Sequence, residues 1–169
     1  FSAIGEISHY VGYYNQMPSW IGDRFHTATQ DLYDAYPAGD PRVGHIFRDE
    51  PAFTGTTPNI VKYVERGSWL PGNVPPGGNG LNANNPRILR YAEALLLKAE
   101  AIAMSGGDLD EAIELINEVR ERARNSTDDG VPAAEPADRP STGDKATVLQ
   151  WIFEERRLEF AFEHGTRWF

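Results

Sequence analysis

Tyr13, Tyr14, Asn15 and Trp20 fall in one short stretch around Pro18, in the company of His9, Tyr10 and Gln16. Flat rings beside side-chain amides are the chemistry of a sugar-binding surface: the rings cover the apolar C–H faces of a pyranose and the amides bond its hydroxyls. Trp69 stands at the edge of a run rich in Gly and Pro, residues 71–85, and is a second candidate for a stacking ring. Together Tyr13, Tyr14, Asn15, Trp20 and Trp69 are the expected ligand-binding set. The plainer reading of any one ring is that it fills the core of a loop-rich segment, since large aromatics are commonly buried.

A different chemistry is suggested by Glu155, Glu159 and Glu163, which recur four apart and so line one side of a helix. Two carboxylates can divide acid and base roles when their environments differ, as glycoside hydrolysis requires. Against this stands the commoner use of such a row, a solvated or Arg-paired helix face, here interleaved with Arg156 and Arg157. Other catalytic patterns are missing. His9, His26, His45 and His164 are scattered without metal-ligand spacing, and there is no cysteine to act as nucleophile or ligand. Gly77-Gly78-Asn79-Gly80 follows Pro75 and Pro76 and precedes no lysine, so it is no phosphate cradle. The expectation is a protein with no catalytic residue, no metal and no cofactor.

The elements that must position these groups are most legible from Asn85 to Arg124. Asn85 can cap a helix whose first position is Pro86. Ile88, Leu89, Ala92, Leu95, Leu96, Ala99, Ile102 and Ala103 then recur three and four apart as a packing face. Gly106 and Gly107 permit a tight turn, and Asp108 with Glu111 resembles a capping box for a second helix. That helix buries Leu109, Ala112, Ile113, Ile116, Val119 and Ala123 and leaves Arg120, Arg122 and Arg124 mostly solvated. So short a turn makes the pair antiparallel neighbours, like one helical pair of a tetratricopeptide repeat. A third helix runs from a cap at Ser141, Thr142 or Asp144 to about His164, with Gly165 placed to end it.

Elsewhere the pattern is irregular. Residues 1–84 read as loops with short strands and turns, and 85–169 as the helical region: a mostly α fold with a loop-rich first half. Thr29 to Tyr36 suits a short helix stopped by Pro37, and Asp40 can pair with Arg42 across the next bend. Val43 to Phe47 and Ile60 to Val64 have the β-branched and aromatic content of short strands. Asn125 to Gly143 is a linker by composition.

The 169 residues carry a net charge of −9 with no basic cluster outside the helices, which argues against nucleic acid as a partner. No apolar run is long enough to span a membrane, and no signal segment opens the chain.

Three pieces, read in order, resemble the C-terminal half of the SusD/RagB family of outer-membrane glycan-binding lipoproteins. They are residues 86–101, opening Pro86-Arg87-Ile88-Leu89-Arg90-Tyr91; residues 112–123, with Ile116-Asn117-Glu118-Val119-Arg120; and Glu155-Arg156-Arg157-Leu158-Glu159-Phe160-Ala161-Phe162-Glu163 followed by Arg167-Trp168-Phe169. Asp31-Leu32-Tyr33-Asp34-Ala35-Tyr36 with Gly39-Asp40-Pro41-Arg42 is similar to a further family stretch. The resemblance implies a SusD-like internal fragment, without the lipidated cysteine and repeat helices before it and the segment after it. It also implies a non-enzymatic receptor at the cell surface that holds a glycan oligosaccharide and serves a SusC-like TonB-dependent transporter. Membrane contact would come only through a lipid anchor outside this chain. The family's motifs are scaffold motifs, so the five ligand-binding residues rest on their own chemistry. The alternative is a helical scaffold for protein interaction, with the aromatics as core.

Overall fold

In the computed structural model, Thr29 turns the chain into the first of the described helices by accepting the Leu32 amide on its side-chain oxygen at 3.3 Å. The structure describes residues 28–48, 59–60, 62 and 89–163. These divide into two compact units, one holding 28–35, 43–48, 59–60 and 62, the other 36–42 and 89–163.

In the first unit, α1 (Gln30–Asp34) is steadied by the Gln30 amide donating to Asp34 one turn on, at 2.8 Å. The expected strand at Val43 to Phe47 is mostly helix: α2 spans Arg42–Ile46, and only Phe47 enters a strand. The cause lies just upstream, where the Asp40 carboxylate accepts the Arg42 backbone N–H at 3.0 Å. Such a local side-chain bond bends the backbone into a turn, which outweighs the weak strand preference of a few β-branched residues. β1 (Phe47–Arg48) then pairs antiparallel with β2 (Asn59–Ile60), Phe47 opposite Ile60. The Tyr33 ring meets Phe47 edge-on, centroids 5.2 Å apart.

The second unit is built on α3 (Tyr91–Ser105), α4 (Leu109–Arg124) and α5 (Lys145–Glu159). Gly106 ends α3 with φ of 78°, a left-handed conformation that suits glycine, and the Gly107 amide donates back to the Ile102 carbonyl at 2.9 Å. Asp108 caps α4 by accepting the Asp110 amide, whereas Glu111 reaches across to Lys98 of α3 at 2.8 Å instead of completing a capping box. Leu96, Ala99 and Ala103 pack with Ala112, Ile116 and Val119, and α5 closes this core with Val148 and Ile152. Small alanines on facing helices let the backbones approach closely, so a few branched side chains suffice to fill the space between them.

Two helix ends differ from expectation for one reason. α3 begins at Tyr91 rather than Pro86, with Arg90 in an extended conformation and Leu89 exposed instead of on the packing face. α5 ends at Glu159 rather than near His164. Arg90 donates to the Glu159 carbonyl at 3.1 Å, so a cation satisfies a terminal carbonyl of α5 and favours the negative end of its dipole. Asn85, Pro86 and Gly165 lie outside the described residues, as does the run 71–85.

The segment 125–143, expected to be a linker, is a strap held to α4. Asn117 donates to the Arg139 carbonyl and accepts its amide, Arg120 donates to the Ala137 carbonyl, and Arg124 to that of Pro136. Asn117, Arg120 and Arg124 lie three and four apart, and so form one polar row on the helix.

Adjacent residues of α3 test this packing. Leu96 is fully buried and Leu97 is 47% exposed. In chemical denaturation, Leu96→Ala should cost about 2–5 kcal/mol and Leu97→Ala less than about 0.5.

Candidate functional site

The acidic row singled out on α5 sits at the centre of the second unit, and its carboxylates are buried against arginines drawn from three other parts of the chain. Glu155 has no exposed surface and gives one oxygen to each of two partners, Arg42 at 2.6 Å and Arg120 at 2.6 Å. Glu159 is met by Arg90 at 2.7 Å and by Arg122 at 2.6 Å, with Arg42 at 3.4 Å. Asp40 completes the hold on Arg42 at 2.7 Å, and Glu163 that on Arg90 at 2.7 Å. Four acids and four arginines therefore balance. The pairing of Asp40 with Arg42 is the one expected across the bend. Arg120, expected in solvent, is buried.

Local folding explains who meets whom. Spacing of four on α5 stacks Glu155 under Glu159, and the end of the helix lets Glu163 turn back toward Arg90. The Asp40 turn aims the Arg42 guanidinium at both helix acids, and Tyr36 lies beneath it with its ring 5.8 Å from the guanidinium carbon. The Tyr36 hydroxyl donates to the Leu158 carbonyl at 2.7 Å, and burial pushes its pKa above the ordinary phenol range. Arg90 lies over the Phe160 ring at 4.8 Å.

The electrostatics set the chemistry. Burial alone would raise the Glu159 pKa, but the charges of Arg122, Arg90 and Arg42 outweigh it and hold the carboxyl below its usual range. Burial would likewise lower the Arg42 and Arg90 pKa values, yet the hydrogen bonds and charges of their acid partners leave both raised. A hydrolytic carboxylate pair needs one member protonated near neutral pH and room for a sugar between the two. Glu159 is held ionised, and both glutamates point their oxygens at guanidinium groups with essentially no exposed surface. The geometry makes them structural anchors of the fold.

Tyr13, Tyr14, Asn15, Trp20 and Trp69 lie outside the described residues. His9, His26 and His164 also lie outside. Among the described residues no group of His, Cys, Asp or Glu is arranged to hold a metal ion, and no helix is long and apolar enough to cross a membrane. Sequence reasoning missed Arg90 and Arg120 as members of the cluster. The available signal was an excess of arginines at helical spacing opposite a row of acids with too few neighbours of its own to neutralise it.

A pH dependence follows. Because the folded-state pKa of Glu159 lies below its ordinary value of 4.5, its contribution is fully present above that pH and is lost as pH falls through the folded value. At neutral pH, Glu159→Gln should cost up to about 3–5 kcal/mol by leaving the buried cluster one negative charge short, although Arg42 keeps Asp40 and Glu155 and Arg90 keeps Glu163. Arg122, whose side chain is 54% exposed, should cost about 1 kcal/mol or less on change to alanine. Thermal melts from pH 7 to pH 3 should show the gap between the parent and Glu159→Gln closing only below about pH 4.5.

Comparison with known proteins places this helical arrangement. Residues 48–169 match the model of the SusD family. SusD-like protein P2 of Formosa agariphila is 32% identical over 144 residues, covering 85% of this chain and 25% of that protein. SusD-like protein P38 of the same organism is 38% identical over 96 residues, 57% of this chain and 18% of its own length. The chain thus spans about a quarter or less of these relatives. A SusD superfamily protein from Bacteroides fragilis superposes with a TM-score of 0.61 at 23% identity, over 87% of this chain and 29% of that one. One from Bacteroides vulgatus gives 0.59 at 24% identity, over 82% and 31%. At such identity the two structures speak for the fold, which is mostly α. With the family pattern running from residue 48 to residue 169, the chain belongs to the SusD family.

Proposed function

We propose that this chain is part of a cell-surface protein that binds a glycan and passes it, uncleaved, to a SusC-like TonB-dependent transporter in the outer membrane, where a lipid anchor holds the binding protein. The observation that carries the reading is the family match across residues 48–169. The locked state of Glu155 and Glu159 supports binding without hydrolysis, since these carboxylates are occupied by arginines. On this reading the sugar is held by Tyr13, Tyr14 and Trp20, with Asn15 bonding hydroxyls and Trp69 offering a further ring from the second irregular stretch. A net charge of −9 suits a neutral sugar better than a polyanion.

Isothermal titration with starch, xylan, pectin and fructan oligosaccharides tests this. Heat should appear with at least one class and weaken roughly tenfold on Trp20→Ala or Trp69→Ala, the order of one stacked ring. No reducing ends should appear on prolonged incubation with the bound glycan. Silence with every class, or binding indifferent to both tryptophan changes, would overturn the assignment.

A further inference from the structure

The strap over residues 125–143 is held to the helices chiefly by polar contacts. Pro136 is its one buried residue, and 128–132, 137, 138, 140 and 141 are exposed. The three helices it lies against share an apolar core. A segment that buries little apolar surface and is fastened by hydrogen bonds belongs to the part of a fold that opens before the rest. Glycines stand at either end of the held stretch, Gly130 with φ of 73° and Gly143 with open space around it, and both suit a hinge.

Arg139 fastens the strap to two helices at once. Asn117 of α4 bonds both of its backbone groups, at 2.7 and 3.0 Å, while its guanidinium meets Glu154 of α5 at 2.7 Å and lies over the Trp151 ring at 5.2 Å. The fastening is imperfect. Arg139 Nε is buried with no hydrogen-bond partner among the described residues, and burial, followed by the charge of Arg120, lowers the Arg139 pKa. Opening returns this donor to water and parts two like charges, so the contact carries its own tendency to release. The ion pairs of Arg139 with Glu154 and of Arg124 with Asp138 have carboxylates 41% and 57% exposed, so salt screens them. The pairs that hold Glu155 are buried and feel salt far less.

We propose that residues 131–142 form a salt-sensitive latch that opens as one piece about Gly130 and Gly143, with Arg139 as its catch. What the latch covers is one end of the buried charge cluster. Arg120 gives Nε to the Ala137 carbonyl at 2.6 Å and its other side to Glu155 at 2.6 Å, so lifting the strap bares Arg120 and lets water reach Glu155. Arg42, held by Asp40 and lying over Tyr36, stays covered, and α3, α4 and α5 keep their apolar contacts.

Hydrogen exchange read by mass spectrometry on the 169-residue chain tests this. Strap amides should exchange ahead of those in the middle of α4 and α5, and Arg139→Gln should speed the whole strap about tenfold with helix exchange and circular dichroism unchanged. Asn117→Ala, which frees the Arg139 backbone and leaves its guanidinium contacts in place, should act in the same direction. Raising sodium chloride from about 0.02 to about 0.5 M should speed the parent strap roughly threefold to tenfold, and Arg139→Gln less, as expected of one or two exposed ion pairs. Phenylglyoxal, an arginine reagent, should label Arg120 faster in Arg139→Gln than in the parent and Arg42 equally slowly in both. Strap amides that exchange only together with the helices overturn the proposal, as does a change confined to the neighbours of residue 139. Indifference to salt, or equal labelling of Arg120 in the two proteins, does the same. Loss of the helical signal in both variants would show the strap to be inseparable from the bundle, and overturns it too.

Discussion

Seven charged groups largely removed from water, with Arg122 at the surface as the eighth, must neutralise one another almost completely, and the second unit is arranged around that requirement. Each buried charge costs several kcal/mol in desolvation, returned only when opposite charges and hydrogen bonds surround it. Arg42 alone reaches Asp40, Glu155 and Glu159. Against well-packed apolar residues such a cluster gains little net stability. Its effect is on register. If α5 slid by one turn relative to α4 or to the turn at Asp40, at least one guanidinium would lose its carboxylate, and the error would cost about 3–5 kcal/mol, a large share of the roughly 5–15 kcal/mol by which most domains are stable.

The same requirement shapes the chain ends of the helices. Arg90 cannot continue α3 and also hold Glu159, Glu163 and the α5 carbonyl, so it stands in extended conformation just before the first turn. Arg120, while it holds Glu155, and Arg124 also donate to carbonyls of the strap, so an irregular, Pro-rich segment acquires fixed partners. Segments that look featureless by composition become ordered because arginine has more donors than one carboxylate can use.

This also explains what could be read from the residues in advance. The α3–α4 hairpin was legible because its signals are local: apolar residues at helical spacing, Gly106 where the backbone turns left-handed, and Asp108 at a cap. Asp40 with Arg42 was legible for the same reason. The partner of Glu155 was not, since Arg42 lies more than a hundred residues away, and no periodicity connects a bend to a helix. The strand expected at Val43 to Phe47 failed where a single hydrogen bond from the preceding turn overrode propensity. The candidate sugar-binding rings depend on neither kind of signal, because ring exposure follows from how irregular segments pack, which alternation and periodicity do not encode.

A frame of this kind suits the work proposed for it. A receptor that holds sugar by stacking gains affinity when its rings are already in place, because ordering them on binding would cost about 0.5–1.5 kcal/mol for each side chain immobilised. In the described part of the chain, fixed geometry of that kind is seen at the Asp40 turn, where backbone and guanidinium are bonded by the same carboxylate. Acids that in a hydrolase would be left free for proton transfer are here spent on neutralising arginines. On the proposed reading, recognition then falls to uncharged rings and amides, groups that grip a sugar without drawing a proton from it.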